Sequence, residues 1–591
     1  MILILGGTTE GRLAVRVADA AGSPYWYSTR GDLQQIECKH GTHITGALDE
    51  SAMSLFCTEH DIRLLVDAAH PFAEQLHRTV ASVAESLDLP VVRVERNYPD
   101  FGDSVRWCDD YAAAVARLET DGITRLLALT GVQTIGKLKP YWSANDCWFR
   151  ILRREESLEK AREQGFPEGR LVYYEEDDEA ALIGRLQPQA ILTKESGDSG
   201  GFSQKVQAAC AAGIPVYAVR RPALPAGFEV VTGEHGLRKA IERLVPGFFP
   251  LRSGFTTGAC ATAASKAALL ALMGQPVGDS IEVLFPDGEQ LSLPVAEVSS
   301  ATATVIKDAG DDPDVTNGQA IVATVAFSDE PGIHFLQGEG VGRVTLPGLG
   351  LPIGGPAINR VPRQMIEQNL SALYAGGLDV TISVPGGREL AQRTFNPKLG
   401  IVDGISIIGT SGIVRPFSNE AFVDAIRREV DVAVAVGSEQ LVINSGAKSE
   451  AFLKALYPEL PPQAFVHYGN FIGETLKIAA DLQIPKVTMG IMLGKAVKLA
   501  EGHLDTHSKS VVMNKTFLKE VAAEAGCSPA AAGTIDKLTL ARELWKGLLP
   551  ADAHRFLSAI LSRCSAACST VYPPENLTIL LLDEDGNIFK G

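Results

Sequence analysis

Residues 1–12 read Met-Ile-Leu-Ile-Leu-Gly-Gly-Thr-Thr-Glu-Gly-Arg: a short apolar run, a glycine turn and the start of a helical pattern. An apolar run of this length predicts a strand that is buried on both faces. The turn places the N–H groups at the start of the helix beside the strand's carboxyl end, an arrangement that favours phosphate. Of the pattern G-x-G-x-x-G only Gly6 and Gly11 match, with Thr8 in the middle position, so a generic turn between strand and helix is an equal alternative.

The same unit recurs as far as about residue 245 and predicts a parallel α/β fold. The predicted strands are Met1–Leu5, Tyr25–Thr29, Leu64–Ala68, Val91–Val94, Arg125–Thr130, Ala190–Thr193 and Val216–Val219. Two successive sheets that divide near residues 119–124, giving lobes of about 1–122 and 123–245, fit better than one sheet. A proline-bracketed segment at Pro246–Pro250 marks a joint. Beyond it we expect an α+β domain over about 252–398 and an α/β domain over about 399–591.

Length, composition and charge restrict the class of protein. The 591 residues exceed what one core supports, and 46% hydrophobic with 21% charged residues is typical of folded domains. A net charge of −17 without a Lys/Arg run disfavours nucleic acid and anionic membranes as partners. Apolar stretches are too short for a bilayer span, and the nine cysteines form no CxxC pairs. We therefore expect a cytoplasmic protein with reduced thiols; a homo-oligomer is compatible with the sequence.

Three motifs of the first block carry a resemblance to a known family. In order, they are Gly6–Arg12, Ala69–Ala73 (Ala-His-Pro-Phe-Ala) and Thr193–Gly197 (Thr-Lys-Glu-Ser-Gly). Over residues 1–245 the chain resembles the precorrin-6A reductase family. This resemblance implies two Rossmann-like lobes with the active site between them, where NADH or NADPH reduces one double bond of a cobalt-corrinoid macrocycle.

The residues of the first block give candidate roles for that reaction. His70 follows a buried strand at the carboxyl edge of the sheet and would donate a proton or orient substrate, unless it only caps or ties a loop. Lys194 is the second candidate catalytic residue, and Arg93 and Arg96 are candidate partners for the acidic side chains of the substrate. Arg30, near the end of the second strand, favours NADPH, although Asp32 is equally near. The candidate cofactor-binding residues are Gly6, Gly7, Thr8, Thr9, Gly11, Arg30, Ser196 and Gly197.

Four motifs of the second block carry another resemblance. They are Gly254–Ala261, Asp308–Asp314, Pro356–Asn359 and Gly502–His507. Over residues 252–591 the chain resembles the cobalt-precorrin-5B C1-methyltransferase family. That resemblance implies methylation of ring carbon C1 of a cobalt-corrinoid by S-adenosylmethionine.

The candidate contacts of the second block follow from turns and spacing. Thr256, Thr257 and Gly258 open a helix and are interpreted as substrate contacts, with a plain helix cap as the alternative. Ile405–Gly412 is interpreted as a strand entering a glycine turn that binds adenosylmethionine. The candidate cofactor contacts are Gly409, Thr410, Ser411 and Gly412, with Asn470 and Gly473 on the other wall.

Three further residues are candidate substrate contacts. Asn359 lies within one of the family motifs. His503 and His507 stand four apart, so on a helix they would share a face and touch the substrate's cobalt, although capping and core roles are commoner. No metal held by the protein itself is expected. Asp308–Asp314 misses the spacing of a calcium loop, and a polar turn explains it better.

The two reactions are consecutive, so the sequence predicts a bifunctional enzyme of cobalamin ring synthesis. Two alternatives remain at this point: a tetrapyrrole or nucleotide sensor, and an unrelated NAD(P)-linked reductase fused to another transferase.

Overall fold

The computed structural model describes residues 1–31, 36–174, 177–507 and 513–590. The chain divides into two compact units, Met1–Arg252 and Ser253–Gly591. Within the described residues no helix combines the length and apolar composition needed to cross a bilayer.

The first unit alternates strands and helices. Its strands are β1 (Ile2–Leu5), β2 (Tyr25–Thr29), β3 (Gly41–Thr45), β4 (Leu64–Asp67), β5 (Val91–Glu95), β6 (Val105–Cys108), β7 (Arg125–Ala128), β8 (Asp146–Ile151), β9 (Leu171–Tyr173), β10 (Ala190–Lys194), β11 (Val216–Val219) and β12 (Phe228–Thr232). Its helices are α1 (Thr9–Asp19), α2 (Glu50–Glu59), α3 (Glu74–Leu87), α4 (Tyr111–Thr120), α5 (Lys139–Trp142), α6 (Glu155–Glu163), α7 (Glu179–Leu186), α8 (Phe202–Ala211) and α9 (Gly233–Leu244).

Two parallel six-stranded sheets form this unit, which confirms the predicted α/β fold of the N-terminal half. The first sheet has the order β12-β5-β4-β1-β2-β3, and the second has the order β6-β11-β10-β7-β8-β9. Strands β1 and β4 are buried along their whole length, because helices cover both faces of each sheet. The strand order reverses between β1 and β4 in one sheet and between β7 and β10 in the other, so each sheet has its own ligand-binding edge.

The predicted boundary between the lobes is wrong. Strand β6 lies before residues 119–124 but pairs with β11 in the second sheet, and β12 returns to pair with β5 in the first. The chain therefore crosses between the lobes twice. Local patterns locate the strands but not their partners, so this exchange of edge strands was not visible in the sequence.

The second unit contains the remaining elements. Its strands are β13 (Gly254–Phe255), β14 (Ser280–Leu284), β15 (Gln290–Pro294), β16 (Glu297–Val298), β17 (Thr302–Ile306), β18 (Ala320–Ser328), β19 (Ile333–Gln337), β20 (Arg343–Val344), β21 (Gly377–Ser383), β22 (Ile401–Val402), β23 (Ile413–Val414), β24 (Gln440–Asn444), β25 (Phe465–His467), β26 (Lys486–Met492), β27 (Leu577–Leu582) and β28 (Ile588–Phe589). Its helices are α10 (Thr257–Leu272), α11 (Arg360–Ser371), α12 (Gly387–Ala391), α13 (Asn419–Ala435), α14 (Ala447–Leu456), α15 (Ile472–Asp481), α16 (Leu493–Ala500), α17 (Lys515–Glu524), α18 (Pro529–Lys537), α19 (Leu544–Gly547) and α20 (Pro550–Cys568).

Two larger sheets organise the second unit. The mixed sheet β16-β17-β18-β21-β19 packs against α10, whose many buried alanines allow close approach. The other sheet, β25-β24-β26-β27-β28, is parallel except at β28 and is covered by helices. Since β24 precedes both of its neighbours in the chain, the strand order of this sheet reverses between β24 and β26.

Candidate active sites

The glycine turn after β1 is shaped by a tyrosine beneath it. A Cβ on Gly6 would lie 2.3 Å from the Tyr27 ring, and one on Gly11 would lie 2.8 Å from its hydroxyl. The Tyr27 hydroxyl in turn accepts a hydrogen bond from the Gly7 amide at 3.0 Å. Packing therefore accounts for Gly6 and Gly11, whereas Gly7, with φ of 99° and open space beside it, faces outward.

Thr8 caps the helix that follows this turn. Its Oγ1 accepts from the Gly11 amide at 3.2 Å and donates to the Ala68 carbonyl at 2.7 Å, which ties the end of β1 to the end of β4. Thr9 begins α1 and is exposed. Of the predicted cofactor contacts on this turn, Gly7 and Thr9 are the two exposed residues.

Glu10, in the first turn of α1, was not predicted as a functional residue. Its buried carboxylate binds Arg96 at 2.8 Å and accepts from the Ser199 hydroxyl at 2.5 Å. Burial alone would raise the pKa of Glu10, but the Ser199 hydrogen bond and the Arg96 charge outweigh it and lower the pKa. The start of α1 thus already holds one anion, contributed by the chain itself.

Both arginines predicted to bind substrate are buried. Arg93 has no exposed surface, and its guanidinium contacts Asp67 at 2.9 Å and Glu95 at 3.4 Å. The prediction that Arg93 receives substrate is therefore wrong, because its charge is neutralised inside the lobe. Arg96 is neutralised by Glu10 and donates to the Ser196 carbonyl at 2.7 Å, so it joins the two lobes.

His70 and Lys194, predicted as catalytic from separate motifs, are brought together by the fold. His70 follows β4 and Lys194 ends β10, and both contact the Phe72 side chain; the Lys194 ammonium lies 5.3 Å from the centre of its ring. Burial, reinforced by the charges of Lys194 and Arg96, lowers the pKa of His70 to about 3. His70 is therefore neutral, and because its Nδ1 accepts from the Phe72 amide at 3.1 Å, its proton resides on Nε2.

Among the residues that the structure describes, no carboxylate pairs with Lys194. Burial, together with the charges of Lys137 and Arg96, lowers the pKa of Lys194 to about 8. A half-buried ammonium among other cations favours an incoming carboxylate or phosphate. The neighbouring Ser196 and Gly197, predicted as cofactor contacts, wrap around Arg96, since a Cβ on Gly197 would lie 2.8 Å from the Arg96 Cβ.

Two other positions bear on the cofactor of the first block. Gly131, just after β7, has φ of 82° and open space beside it at the edge where β7 meets β10. Arg30 is exposed after β2, and Asp32, its competitor in the sequence analysis, lies outside the described residues.

In the second unit, Thr256 and Thr257 make fold contacts. Thr256 Oγ1 caps α10 by accepting from the Ala259 amide at 3.2 Å. Thr257 is buried; its hydroxyl accepts from the Ile408 amide at 2.9 Å. A Cβ on Gly258 would lie 2.7 Å from Pro362. These contacts favour the plain helix cap that the sequence left as the alternative.

The segment Ile405–Gly412 is not a strand. Ile405 and Ile407 make only isolated bridges, to Val341 and Ile358. A Cβ on Gly409 would lie 2.3 Å from Thr256 Oγ1, and one on Gly412 would lie 2.5 Å from the Phe285 ring. Internal packing explains why Gly409 and Gly412 lack side chains, whereas Thr410 and Ser411 are exposed, so the assignment of these four residues to the cofactor stays a prediction.

The carboxyl edge of the parallel sheet lies elsewhere in the unit. Asn444 ends β24, His467 ends β25, and Lys495 follows β26 in the first turn of α16. Of the predicted cofactor contacts, Asn470 is in the turn just after β25, and its carbonyl accepts from the Thr506 amide at 3.0 Å. Gly473, in α15, packs against Leu504, to which a Cβ would approach within 2.8 Å.

Two predicted substrate contacts do not share a helix. Helix α16 ends at Ala500, and Gly502 has φ of 101°, so His503 and His507 lie in the loop that follows. The prediction of a common helical face is wrong. Asn359 precedes α11, and its amide donates to the Ile407 carbonyl at 3.0 Å.

The matches to family models change between residues 243 and 247, close to the boundary between the two compact units at residues 252 and 253. Residues 247–416 match the family model CbiD, and residues 505–590 match the CbiD C-terminal domain. The cobalt-precorrin-5B C(1)-methyltransferase of Prosthecochloris aestuarii is 43% identical over 352 residues, 57% of this chain and 95% of that protein. The chain belongs to the CbiD family. Its residues 1–243 match the model of precorrin-6x reductase CbiJ/CobK, so the chain joins a CbiJ/CobK reductase domain to CbiD.

Further relatives and solved structures are similar to parts of the chain. The methyltransferase of Geobacillus thermodenitrificans is 43% identical over 326 residues, 54% of this chain and 88% of that protein. Among solved structures, a cobalamin biosynthesis protein (cbiD) from Archaeoglobus fulgidus is 29% identical, with 44% of this chain and 83% of that chain covered and a TM-score of 0.26. A CobK precorrin-6A reductase is 23% identical, with 41% and 97% covered and a TM-score of 0.35. Family membership rests on the sequence matches.

Sequence reasoning missed Glu10 and Gly131 in the reductase domain, residues 1–243. It also missed Lys495 in the second unit, Ser253–Gly591, hereafter the CbiD part. Lys495 carries a local signal, because it lies in the first turn of the helix that directly follows strand β26. Glu10 carries none, since only the folded chain brings it to Arg96 and Ser199.

Proposed function

We propose that this protein catalyses two consecutive steps of corrin ring assembly. The CbiD part transfers the methyl group of S-adenosylmethionine to C1 of cobalt-precorrin-5B, and the reductase domain reduces the resulting cobalt-precorrin-6A to cobalt-precorrin-6B with NADPH or NADH. The observation that carries this proposal is the presence of both families on one chain, since the product of one reaction is the substrate of the other.

The residues around Lys194 suit the reduction step. A nicotinamide cofactor would supply hydride, and the exposed Gly7 and Thr9, together with Gly131, lie at strand edges suited to holding it. The Lys194 ammonium pairs with a carboxylate of the macrocycle, which carries many. Neutral His70 orients the ring through its Nε2–H group; with a pKa of about 3 it does not act as an imidazolium acid.

Methyl transfer requires alignment more than acid–base chemistry. The sulfonium already carries a good leaving group, so the protein must hold donor and acceptor in line and limit water. The carboxyl edge of the sheet around β24 offers a framework of strand ends for this purpose.

The test is an anaerobic incubation of the full chain with cobalt-precorrin-5B, followed by mass spectrometry of the corrinoid. With adenosylmethionine alone we expect a mass gain of one methyl group, and with reduced nicotinamide added a further gain of two hydrogens. Omission of each co-substrate is the control. A corrinoid of unchanged mass under all conditions would contradict the proposal and favour a sensor.

The fusion raises the local concentration of the intermediate at the reductase domain. An excess of an inactive reductase domain can serve as a trap for the released intermediate. If the intermediate passes directly, the fused chain with this trap will still form the reduced product faster than an equimolar mixture of the separate domains does. Equal trapping in both cases would refute direct transfer.

A further inference from the structure

In the CbiD part, the strand order of the parallel sheet reverses beside the carboxyl end of β24. The chain leaves β24 towards β25 on one side and later returns to β26 on the other side. Loops on either side of such a reversal diverge and leave a crevice, where α/β sheets bind their ligands. The segment 409–412, one of the two walls to which the sequence assigned the methyl donor, does not belong to this edge, whereas Asn470 of the other wall follows β25.

Lys495 crosses this crevice. Its backbone follows β26, yet its ammonium donates to the carbonyl of Gly469, which follows β25. Because β24 lies between these two strands, the side chain spans the end of β24. The ammonium lies 5.5 Å from the ring centre of Tyr468, whose hydroxyl donates to the Gly490 carbonyl at 3.1 Å and is thereby fixed underneath.

No acid balances this cation. Within the described residues Lys495 belongs to no ion pair, and its charged neighbour is another lysine, Lys498. Burial is the main reason that the pKa of Lys495 falls to about 8. A partly buried ammonium whose described partners are a carbonyl and a ring gains from a carboxylate.

Two glycines beside this edge are not packed against other residues. A Cβ on Gly446, in the turn after β24, or on Gly494, beside Lys495, would meet no atom within 4 Å. At the end of β25, His467 is paired with Glu450. In nucleotide-binding sheets the end of the second strand is where a polar side chain meets the ribose hydroxyls.

We propose that the crevice at the end of β24 binds the S-adenosylmethionine of the proposed methyl transfer, with the α-carboxylate of the methyl donor on Lys495 and its ribose beside His467 and Glu450. This assignment rests on the proposed function. It places the donor at the carboxyl edge of the parallel sheet and not at the predicted segment Gly409–Gly412.

The test compares two ligands that differ in one group. Calorimetry on the full chain would measure the affinities of S-adenosylmethionine and of decarboxylated S-adenosylmethionine, which keeps the nucleoside, sulfonium and amine. We expect the wild type to bind the carboxylate-bearing ligand about ten- to a hundredfold more tightly, the range of a hydrogen bond to a charged group. Lys495→Met should abolish this preference, Lys495→Arg should keep most of it, and Lys477→Met, on exposed α15 surface, should change nothing.

A second variant tests the proposed ribose contact, and it keeps the assignment testable if Lys495→Met does not fold. His467→Asn should weaken both ligands by a similar factor, because both contain ribose. If Lys495→Met folds and retains the wild-type preference, or if His467→Asn binds both ligands as tightly as the wild type does, the assignment is overturned. Methyl transfer by the wild type separates the site assignment from the proposed function. If the wild type transfers the methyl group but Lys495→Met keeps the wild-type ligand preference, only the site assignment is refuted. If the wild type neither binds S-adenosylmethionine nor transfers its methyl group, the proposed function is refuted.

Discussion

The reductase domain and the CbiD part each place a lysine at the carboxyl edge of a parallel sheet. Neither lysine has a carboxylate partner in the part of the chain that the structure describes, but their surroundings differ. Lys194 lies among the charges of Lys137 and Arg96, next to neutral His70. Lys495 has a backbone carbonyl, an aromatic ring and the charge of Lys498 near it. Burial lowers the pKa of both to about 8.

The contrast with nearby arginines shows how to separate structural from functional cations. Arg93 and Arg96 are also near strand ends, but Asp67, Glu95 and Glu10 neutralise them inside the fold. Removing a partner from such a pair would mainly destabilise the protein. Within the described residues the two lysines have no carboxylate partner, so a bound carboxylate would offset the cost of their partial burial. The presence of a carboxylate partner, more than the choice between arginine and lysine, distinguishes a structural cation from a candidate ligand-binding one.

The largest expected effect comes from removing the Lys194 charge. Lys194→Met should lower kcat/KM for the reduction by about a hundredfold, the scale for losing one charge-stabilising donor in a water-poor site. Lys194→Arg should recover part of this loss, and Lys139→Met, an exposed change in the same lobe, should have no effect. Methyl transfer by the same preparation serves as an internal control. Reduction at the wild-type rate in Lys194→Met would remove the functional distinction between lysines and arginines.

The pH dependence of kcat/KM for the reduction should reveal the titration of Lys194. Because burial lowers its pKa, free Lys194 loses its proton near pH 8, far below the usual value for lysine. Its attraction for a carboxylate is therefore present below about pH 8 and lost above it, so kcat/KM for reduction should fall by up to about tenfold per pH unit on the alkaline side. Initial rates at low substrate concentration between pH 6 and 10 would measure this.

His70 provides the contrast within that profile. Its pKa of about 3 predicts no acidic limb from a histidine between pH 5 and 7. His70→Asn should lower the rate without changing the shape of the curve. A limb near pH 6.5 that disappears in His70→Asn would show that His70 titrates and acts as an acid.

Features fixed by local pattern were predictable, and features fixed by distant neighbours were not. Every strand predicted in the first block is present, because a strand buried on both faces is a short apolar run that can be recognised in the sequence alone. Gly409 and Gly446 look alike in the sequence, yet one is packed against Thr256 and the other is open. His503 and His507 have helical spacing, but the turn at Gly502 ends the helix first.

The smallest expected effect separates two threonines that look equivalent. Thr8 and Thr256 each follow a strand and cap a helix through one hydrogen bond of 3.2 Å. Thr8 also donates to Ala68 and joins two strand ends, so Thr8→Ala should weaken its turn more than Thr256→Ala, for which the usual cost of a lost cap is about 1 kcal/mol. Hydrogen exchange of the peptides containing Gly11 and Ala259 would compare the two losses locally.

Activity then decides whether Thr256 does more than cap. With the cap as its only role, Thr256→Ala should leave methyl transfer within about twofold of the wild type, because the cap can be replaced by water at modest cost. Thr256→Ser, which restores the hydroxyl, should return the exchange rate at Ala259 to normal. A loss of methyl transfer well beyond tenfold in Thr256→Ala, recovered in Thr256→Ser, would mean that the hydroxyl reaches substrate, and it would bring the start of α10 back into the active site.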